Sequence, residues 1–144
     1  TLLTLDGWRE AEHGIYLIGI FRHPEAVAQS LTVRSACERS LGLDLWYRYN
    51  RRLLELYRKQ HFPILYFSEQ ADEFREQLLR LTELLSLQRP SRELKFYEPT
   101  LRHFASPHAQ PLKREISELY KELHAVAFYH AELQKRFLEV QQPA

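Results

Sequence analysis

Two short apolar runs in this chain are patterned as β-strands. The run at about residues 15–21 is almost wholly apolar and rich in β-branched and aromatic side chains. Such a run predicts a strand buried on both faces, as in a parallel sheet. A second run, at about residues 63–67, predicts another strand. Its Pro63 can lie only at the start of the strand or on an edge, because proline donates no ladder hydrogen bond.

Four other stretches show the three- and four-residue spacing of amphipathic helices. Proline favours the first helical turn, so Pro24 predicts the start of the first. Gly42 is a predicted breaker between this helix and the next. The first helix continues to about Leu31, and the others cover about residues 43–59, 72–87 and 112–140.

The order of these elements predicts an α/β fold. A buried strand, a helical crossover and a second buried strand favour a right-handed βαβ unit with parallel strands. Two strands alone make a poor sheet. We therefore expect residues 1–144 to be the C-terminal part of a single domain. A segment upstream of Thr1 is expected to complete the sheet with further parallel strands, and the absence of methionine from the chain agrees with this.

Charge and cysteine content narrow the possible partners. The chain has 20 Lys and Arg against 19 Asp and Glu, so no net charge attracts nucleic acid and any anion site must be local. Cys37 is the only cysteine, which excludes an internal disulfide and favours a reducing, cytoplasmic location. No apolar run reaches the roughly 20 residues of a membrane span. The histidine spacings do not match a helical metal-binding pair, so no metal site is expected.

Arg22 and Ser30 are the candidate binding residues. Arg22 follows the first predicted strand, and ligands of open parallel sheets bind at the carboxyl ends of strands. A guanidinium there can hold a phosphate through two parallel hydrogen bonds. Ser30, eight residues later, falls on the flank of the next helix's apolar face and could donate to the same phosphate. The alternatives are an Arg22–carboxylate pair at the sheet edge and a structural serine at a helix border.

Side chains of the second predicted helix are expected to be mainly structural. Trp46, Tyr49 and Tyr57 have core spacing, and four arginines lie off their stripe on a solvated face. Asn50 falls within the apolar stripe, where a buried amide needs hydrogen-bond partners. We expect it to bond to a neighbouring loop.

The segment Leu17–Leu31 resembles the 3′-phosphate-binding segment of sulfotransferases that use 3′-phosphoadenosine 5′-phosphosulfate. The likeness is carried by a strand, then Arg22-His23-Pro24, then a small-residue helix with Ser30 eight positions after the arginine. Other parts of the chain resemble the bacterial branch of this family. They are Leu45-Trp46 with Tyr49-Asn50, Phe62–Leu65, Leu78–Leu87 and Leu101-Arg102-His103.

This resemblance implies a fold and an activity. The fold would be a P-loop-NTPase-like parallel sheet with helices on both sides and a helix-rich C-terminal part. The activity would be transfer of a sulfuryl group from 3′-phosphoadenosine 5′-phosphosulfate to an acceptor hydroxyl or amine, with Arg22 and Ser30 holding the donor's 3′-phosphate. The family's phosphosulfate loop and catalytic base have no match here and would lie upstream of Thr1. The resemblance also implies a substrate-side role for Arg102 and His103.

Two other functions stay open at this point. The first is a kinase-like P-loop enzyme that uses ATP or GTP, which would show no preference for a 3′-phosphorylated nucleotide. The second is a non-catalytic interaction module built on the long C-terminal helix, which predicts no nucleotide binding. The acceptor of a sulfuryl group is not readable from the chain.

Overall fold

A computed structural model describes residues 4–12, 14–68, 70–88 and 111–128 of the chain. Within these ranges the protein is mixed α/β, with five helices and a small parallel sheet of two strands. In chain order the elements are α1 (Leu5–Ala11), β1 (Gly19–Phe21), α2 (Pro24–Ser35), α3 (Arg39–Lys59), β2 (Ile64–Tyr66), α4 (Ala71–Leu84) and α5 (Arg114–Val126).

The two strands pair in parallel, as the order of elements predicts, with Gly19 opposite Ile64 and Phe21 opposite Tyr66. Both strands are three residues long, and the longer buried strand predicted for residues 15–21 is wrong. Ile18 and Ile20 remain 47% and 54% exposed. Successive side chains of a strand point to opposite sides, and only the side bearing Gly19 and Phe21 is covered along β1.

Helices pack on both sides of this sheet. On one side, Phe21 and Ile64 join the main core with residues of α3 and α5 such as Leu53 and Leu123. On the other side, Leu65 of β2 packs in a smaller cluster with residues of α4. None of the described helices has the length and apolarity needed to cross a bilayer.

Gly42 lies inside α3 and does not separate two helices, so its predicted role as a breaker is wrong. A Cβ atom on Gly42 would lie 2.9 Å from the Cα of Ala28, which is fully buried on α2. The glycine therefore permits close contact between the two helix backbones. The actual break is at Ala36, which ends α2 in the left-handed region at φ 51°.

A partly buried ion pair joins the beginnings of α2 and α3. Glu25, in the first turn of α2, is only 4% exposed, and its carboxylate accepts a 3.0 Å hydrogen bond from Arg39 Nε. Arg39 is the first residue of α3. A carboxylate in a first turn also interacts favourably with the positive end of the helix dipole. Both interactions hold the start of α2, directly after β1, in place.

The third predicted helix is confirmed as α4, but the long C-terminal helix is wrong in its extent. Helix α5 ends at Val126, and Ala127 adopts an extended conformation with ψ 149°. The next residue, Phe128, is buried, and its N–H donates to the carbonyl of Ile64 at 2.7 Å. The helix stops here because the extended backbone buries Phe128 and lets its N–H bond to β2, and these interactions take the place of a further helical turn. The predicted helix beyond Phe128 and the loop pair Arg102-His103 lie outside the described residues.

Candidate functional site

Arg22 lies at the carboxyl edge of the sheet, immediately after β1, where the sequence predicts it. Its guanidinium carbon lies 5.3 Å from the ring centroid of Phe67, which follows β2. Its carbonyl accepts a hydrogen bond of 2.8 Å from the indole N–H of Trp46. The cation–π contact orients the side chain and the indole bond orients the backbone, so Arg22 is held from two directions.

Arg22 contributes to the lining of an apolar cleft of about 490 Å³. Ile20 and Phe67 contribute the sheet side of its lining, while Val27 and Leu31 come from α2 and Trp46 and Asn50 from α3. Arg22 is the one charged residue among the described residues that line it. A cleft of this kind suits a ligand that has an anionic group at the arginine and a planar or apolar body beside it.

Ser30 is half-buried on α2, one helical turn after Val27 and next to Leu31. Since Val27 and Leu31 line the cleft, Ser30 lies on the flank of the cleft-facing side of the helix, as the spacing predicts. No hydrogen bond joins Ser30 to Arg22 within the described part of the chain. The structure therefore brings the two residues to neighbouring elements but not into direct contact.

His23 is the N-cap of α2. Its Nδ1 accepts a hydrogen bond of 3.2 Å from the backbone N–H of Glu25, and Pro24 occupies the first helical position. Helix N-termini attract anions because their N–H groups point outward and the dipole is positive there. At the start of α2, however, the N–H of Glu25 is already bonded to His23, and the carboxylate of Glu25 lies in the same turn, so the helix adds little to the charge of Arg22.

A second cluster, of tyrosine and histidine rings, was not predicted from the sequence. His124 of α5 packs against the rings of Phe21, Tyr66 and Tyr120, with centroid distances of 5.1, 4.5 and 4.5 Å. The hydroxyls of Tyr120 and Tyr66 are hydrogen-bonded at 3.1 Å. The cluster borders a cleft of about 410 Å³ between α4 and α5. Its members are far apart in sequence, so only the fold brings them together.

The stability of the protein is expected to fall on mild acidification because of His124. Burial lowers the pKa of His124 from its ordinary 6.5, and electrostatic repulsion from the nearby imidazole of His23 lowers it further. Unfolding restores the ordinary pKa, so below about pH 6.5 the unfolded chain binds protons more readily than the folded one. The stabilising contribution is therefore complete above this pH and is lost as pH falls towards the lowered pKa.

Denaturant unfolding of the parent and of His124→Gln between pH 8 and pH 5 measures this effect. The parent is expected to lose more stability than the variant below about pH 6.5. Parallel stability curves for the two proteins would show that His124 does not couple folding to pH.

Other expectations for α3 have mixed outcomes. Trp46 and Tyr57 are buried, but Tyr49 is exposed, so its predicted core position is wrong. Asn50 is buried, yet its Nδ2 donates to the carbonyl of Trp46 on the same helix, not to a loop. Its position four residues after Trp46 brings the amide within reach of a carbonyl one turn back. The four arginines are confirmed on the solvated side, where they pair with Asp44, Glu55 and Glu122.

Comparison of the chain with protein-family models, with curated proteins and with solved structures found no match. Within the residues that the structure describes, no three histidine, cysteine or acidic side chains are placed to hold a metal ion together.

Proposed function

We propose that this chain binds the nucleotide donor of a sulfotransferase, 3′-phosphoadenosine 5′-phosphosulfate, with Arg22 and Ser30 holding its 3′-phosphate. The observation that carries the proposal is the position of Arg22 at the carboxyl edge of a parallel sheet, at the rim of an apolar cleft. Crevices at this edge are the usual ligand sites of open α/β sheets.

Arg22 supplies the charge that a phosphate requires. The chain as a whole carries a net charge of +1, so phosphate binding depends on local groups. The guanidinium presents paired N–H donors that match two phosphate oxygens, and the aromatic ring of Phe67 supports its flat face.

Ser30 provides the second contact in this proposal. Ser30 lies on α2 between the cleft-lining residues Val27 and Leu31, and in this proposal its hydroxyl donates to a phosphate oxygen held by Arg22. A phosphate bridging the two residues would link β1 to the next helix. The apolar walls of the cleft, which include Phe67 and Trp46, would lie beside the uncharged part of the nucleotide.

The proposed reaction transfers a sulfuryl group. The acceptor oxygen or nitrogen attacks the sulfur, and the bond from sulfur to the bridging oxygen of the 5′-phosphate breaks. The acceptor proton is lost to a base, and adenosine 3′,5′-bisphosphate leaves with the bonding electrons. Arg22 and Ser30 position the donor through its 3′-phosphate and take no part in the bonds that change, so their contribution is orientation.

Titration with adenosine 3′,5′-bisphosphate tests the proposal. Arg22→Ala is expected to weaken binding by about 2–3 kcal/mol, the range for hydrogen bonds to a charged group. That loss corresponds to about 30- to 140-fold in Kd. Arg22→Lys should lose part of this affinity because a lysine cannot form the paired bonds. Arg48→Ala is the matched control, since Arg48 is exposed and pairs with Asp44 on α3.

Comparison of two nucleotides separates the proposed function from a kinase-like one. The protein should prefer adenosine 3′,5′-bisphosphate to 5′-AMP, and Ser30→Ala should reduce that preference. Equal binding of the two nucleotides would favour an enzyme that ignores the 3′-position. Unchanged affinity in Arg22→Ala would overturn the assignment.

A further inference from the structure

The N-cap of α2 is an imidazole, and its capping bond depends on the protonation state of the ring. His23 Nδ1 accepts a hydrogen bond of 3.2 Å from the backbone N–H of Glu25. Serine, threonine, aspartate and asparagine are the residues that usually cap helices, and they accept through an oxygen. A ring nitrogen of histidine accepts only while it carries no proton. Histidine is also the side chain whose charge ordinarily changes between about pH 5 and pH 8.

The amide that His23 caps has no second acceptor in its own helix. Pro24 occupies the first helical position and has no N–H, so Glu25 carries the first amide of α2 that needs an acceptor. An amide in the first turn has no carbonyl one turn earlier to bond to. Glu25 is only 4% exposed, so water has little access to its backbone. Loss of the imidazole acceptor therefore leaves a buried donor unpaired, which is the costly case for a hydrogen bond.

The ring of His23 also connects α2 to α5. It packs edge-on against Tyr120 with centroids 5.1 Å apart, and Tyr120 packs in the same manner against His124 at 4.5 Å. The two imidazoles are close enough to repel each other when charged. On its other sides, the charged neighbours of His23 among the described residues are Arg22, which precedes it, and Glu25 with its partner Arg39. A carboxylate attracts a proton on the ring, whereas the cations repel it.

We infer that His23 is a positioning residue whose cap on α2 is released by acid. While the ring is neutral, Nδ1 holds Glu25 N–H and fixes the start of α2 directly after Arg22. A proton taken from solvent by Nδ1 removes the acceptor and sets two donors against each other, so the first turn of α2 frays. The released segment is the one that joins Arg22 to Ser30, although the inference itself does not depend on nucleotide binding.

Amide hydrogen exchange of Glu25 in the full-length protein, followed by NMR from about pH 7.5 to about pH 5, tests the inference. The protection factor, which corrects for the intrinsic pH dependence of exchange, is expected to fall by about tenfold, the equivalent of one hydrogen bond. Phe67 N–H bonds to Phe21 O at 2.8 Å and is the internal control, because its exchange reports opening of the sheet. An equal loss of protection at both amides would overturn the inference.

Replacement of the capping side chain separates protonation from helix capping. His23→Asn supplies an oxygen that does not titrate, so protection of Glu25 N–H should change by less than about twofold over the same pH range. His124→Gln removes the neighbouring imidazole and should leave the pH dependence of Glu25 in place. The same pH dependence in His23→Asn as in the parent would contradict the inference. Loss of the pH dependence in His124→Gln would assign the effect to the other histidine and would also contradict it.

The tautomer of His23 gives a measurement that requires no variant. An accepting Nδ1 places the single proton of the neutral ring on Nε2. Two-bond proton–nitrogen NMR spectra of the parent at about pH 8 are therefore expected to show the Nε2–H tautomer for this residue. A dominant Nδ1–H tautomer would show that His23 does not cap α2 and would overturn the inference.

Discussion

Replacing Gly42 with leucine is expected to destabilise the protein by about 3 kcal/mol, at the upper end of the range for overpacked cores. A Cβ at this position would lie 2.9 Å from Ala28 Cα and 3.1 Å from Ala28 Cβ. A backbone atom cannot move aside as the end of a long side chain can, so α2 and α3 must separate. Helix propensity alone favours the opposite result, because glycine is the weaker helix former by about 1 kcal/mol.

Gly7→Leu is the matched control for this experiment. Gly7 is also helical, in α1, but a Cβ there would meet no atom within 4 Å. Urea unfolding should therefore show a large loss of stability for Gly42→Leu and a neutral or small stabilising effect for Gly7→Leu. Similar effects of the two substitutions would show that close packing between α2 and α3 is unimportant.

Gly42→Leu is also expected to disturb the proposed binding site. Ser30 lies on α2, whereas Trp46, which bonds to the carbonyl of Arg22, lies on α3. Forcing the helices apart should displace Ser30 relative to Arg22. We therefore expect Gly42→Leu also to weaken binding of adenosine 3′,5′-bisphosphate under conditions in which the variant is folded.

The second large effect is expected for Gln77→Leu, which should cost about 1–3 kcal/mol because the N–H of Tyr66 loses its acceptor. The carbonyl of Tyr66 loses one of two bonds and keeps the one from Ser68 N at 2.9 Å. Gln77 is 6% exposed, and its amide satisfies both the N–H and the C=O of Tyr66. Leucine has a similar size but no polar atoms, so most of the loss comes from the hydrogen bonds.

Glu76→Leu is the control for Gln77→Leu, since it introduces the same side chain one position earlier on α4. Glu76 is exposed and pairs with Arg80 on the helix surface, where such pairs contribute at most about 1 kcal/mol. Thermal or urea unfolding distinguishes the two variants. An equally small effect at both positions would contradict the role of Gln77 as the hydrogen-bond partner of Tyr66.

Local pattern in the sequence was sufficient for the order of the elements around the site. The apolar runs predict two strands near their observed positions, and Pro24 predicts the start of α2. These signals are local, because strand alternation, helical spacing and the fixed φ of proline act over a few residues. Arg22 could therefore be placed at a strand end, and Ser30 on the following helix, before any tertiary contact was known.

Tertiary structure decided the features that depend on residues distant in sequence. The sequence predicts Gly42 to be a helix breaker, but in the structure it lies inside α3 and lets Ala28 of α2 approach closely. Helix α5 stops at Val126 because Phe128 finds a carbonyl on β2, 64 residues earlier in the chain.

The same distinction applies to the candidate site. The types and spacing of Arg22 and Ser30 are properties of the sequence and predict a phosphate contact by themselves. The ring of Phe67 lies beside the guanidinium because the strands pair in parallel, and the apolar cleft depends on α2 and α3 packing beside β1. Hydrophobic patterning specifies which side of an element is buried, but the partner that buries it, and the edge left unpaired, are set by packing between distant segments.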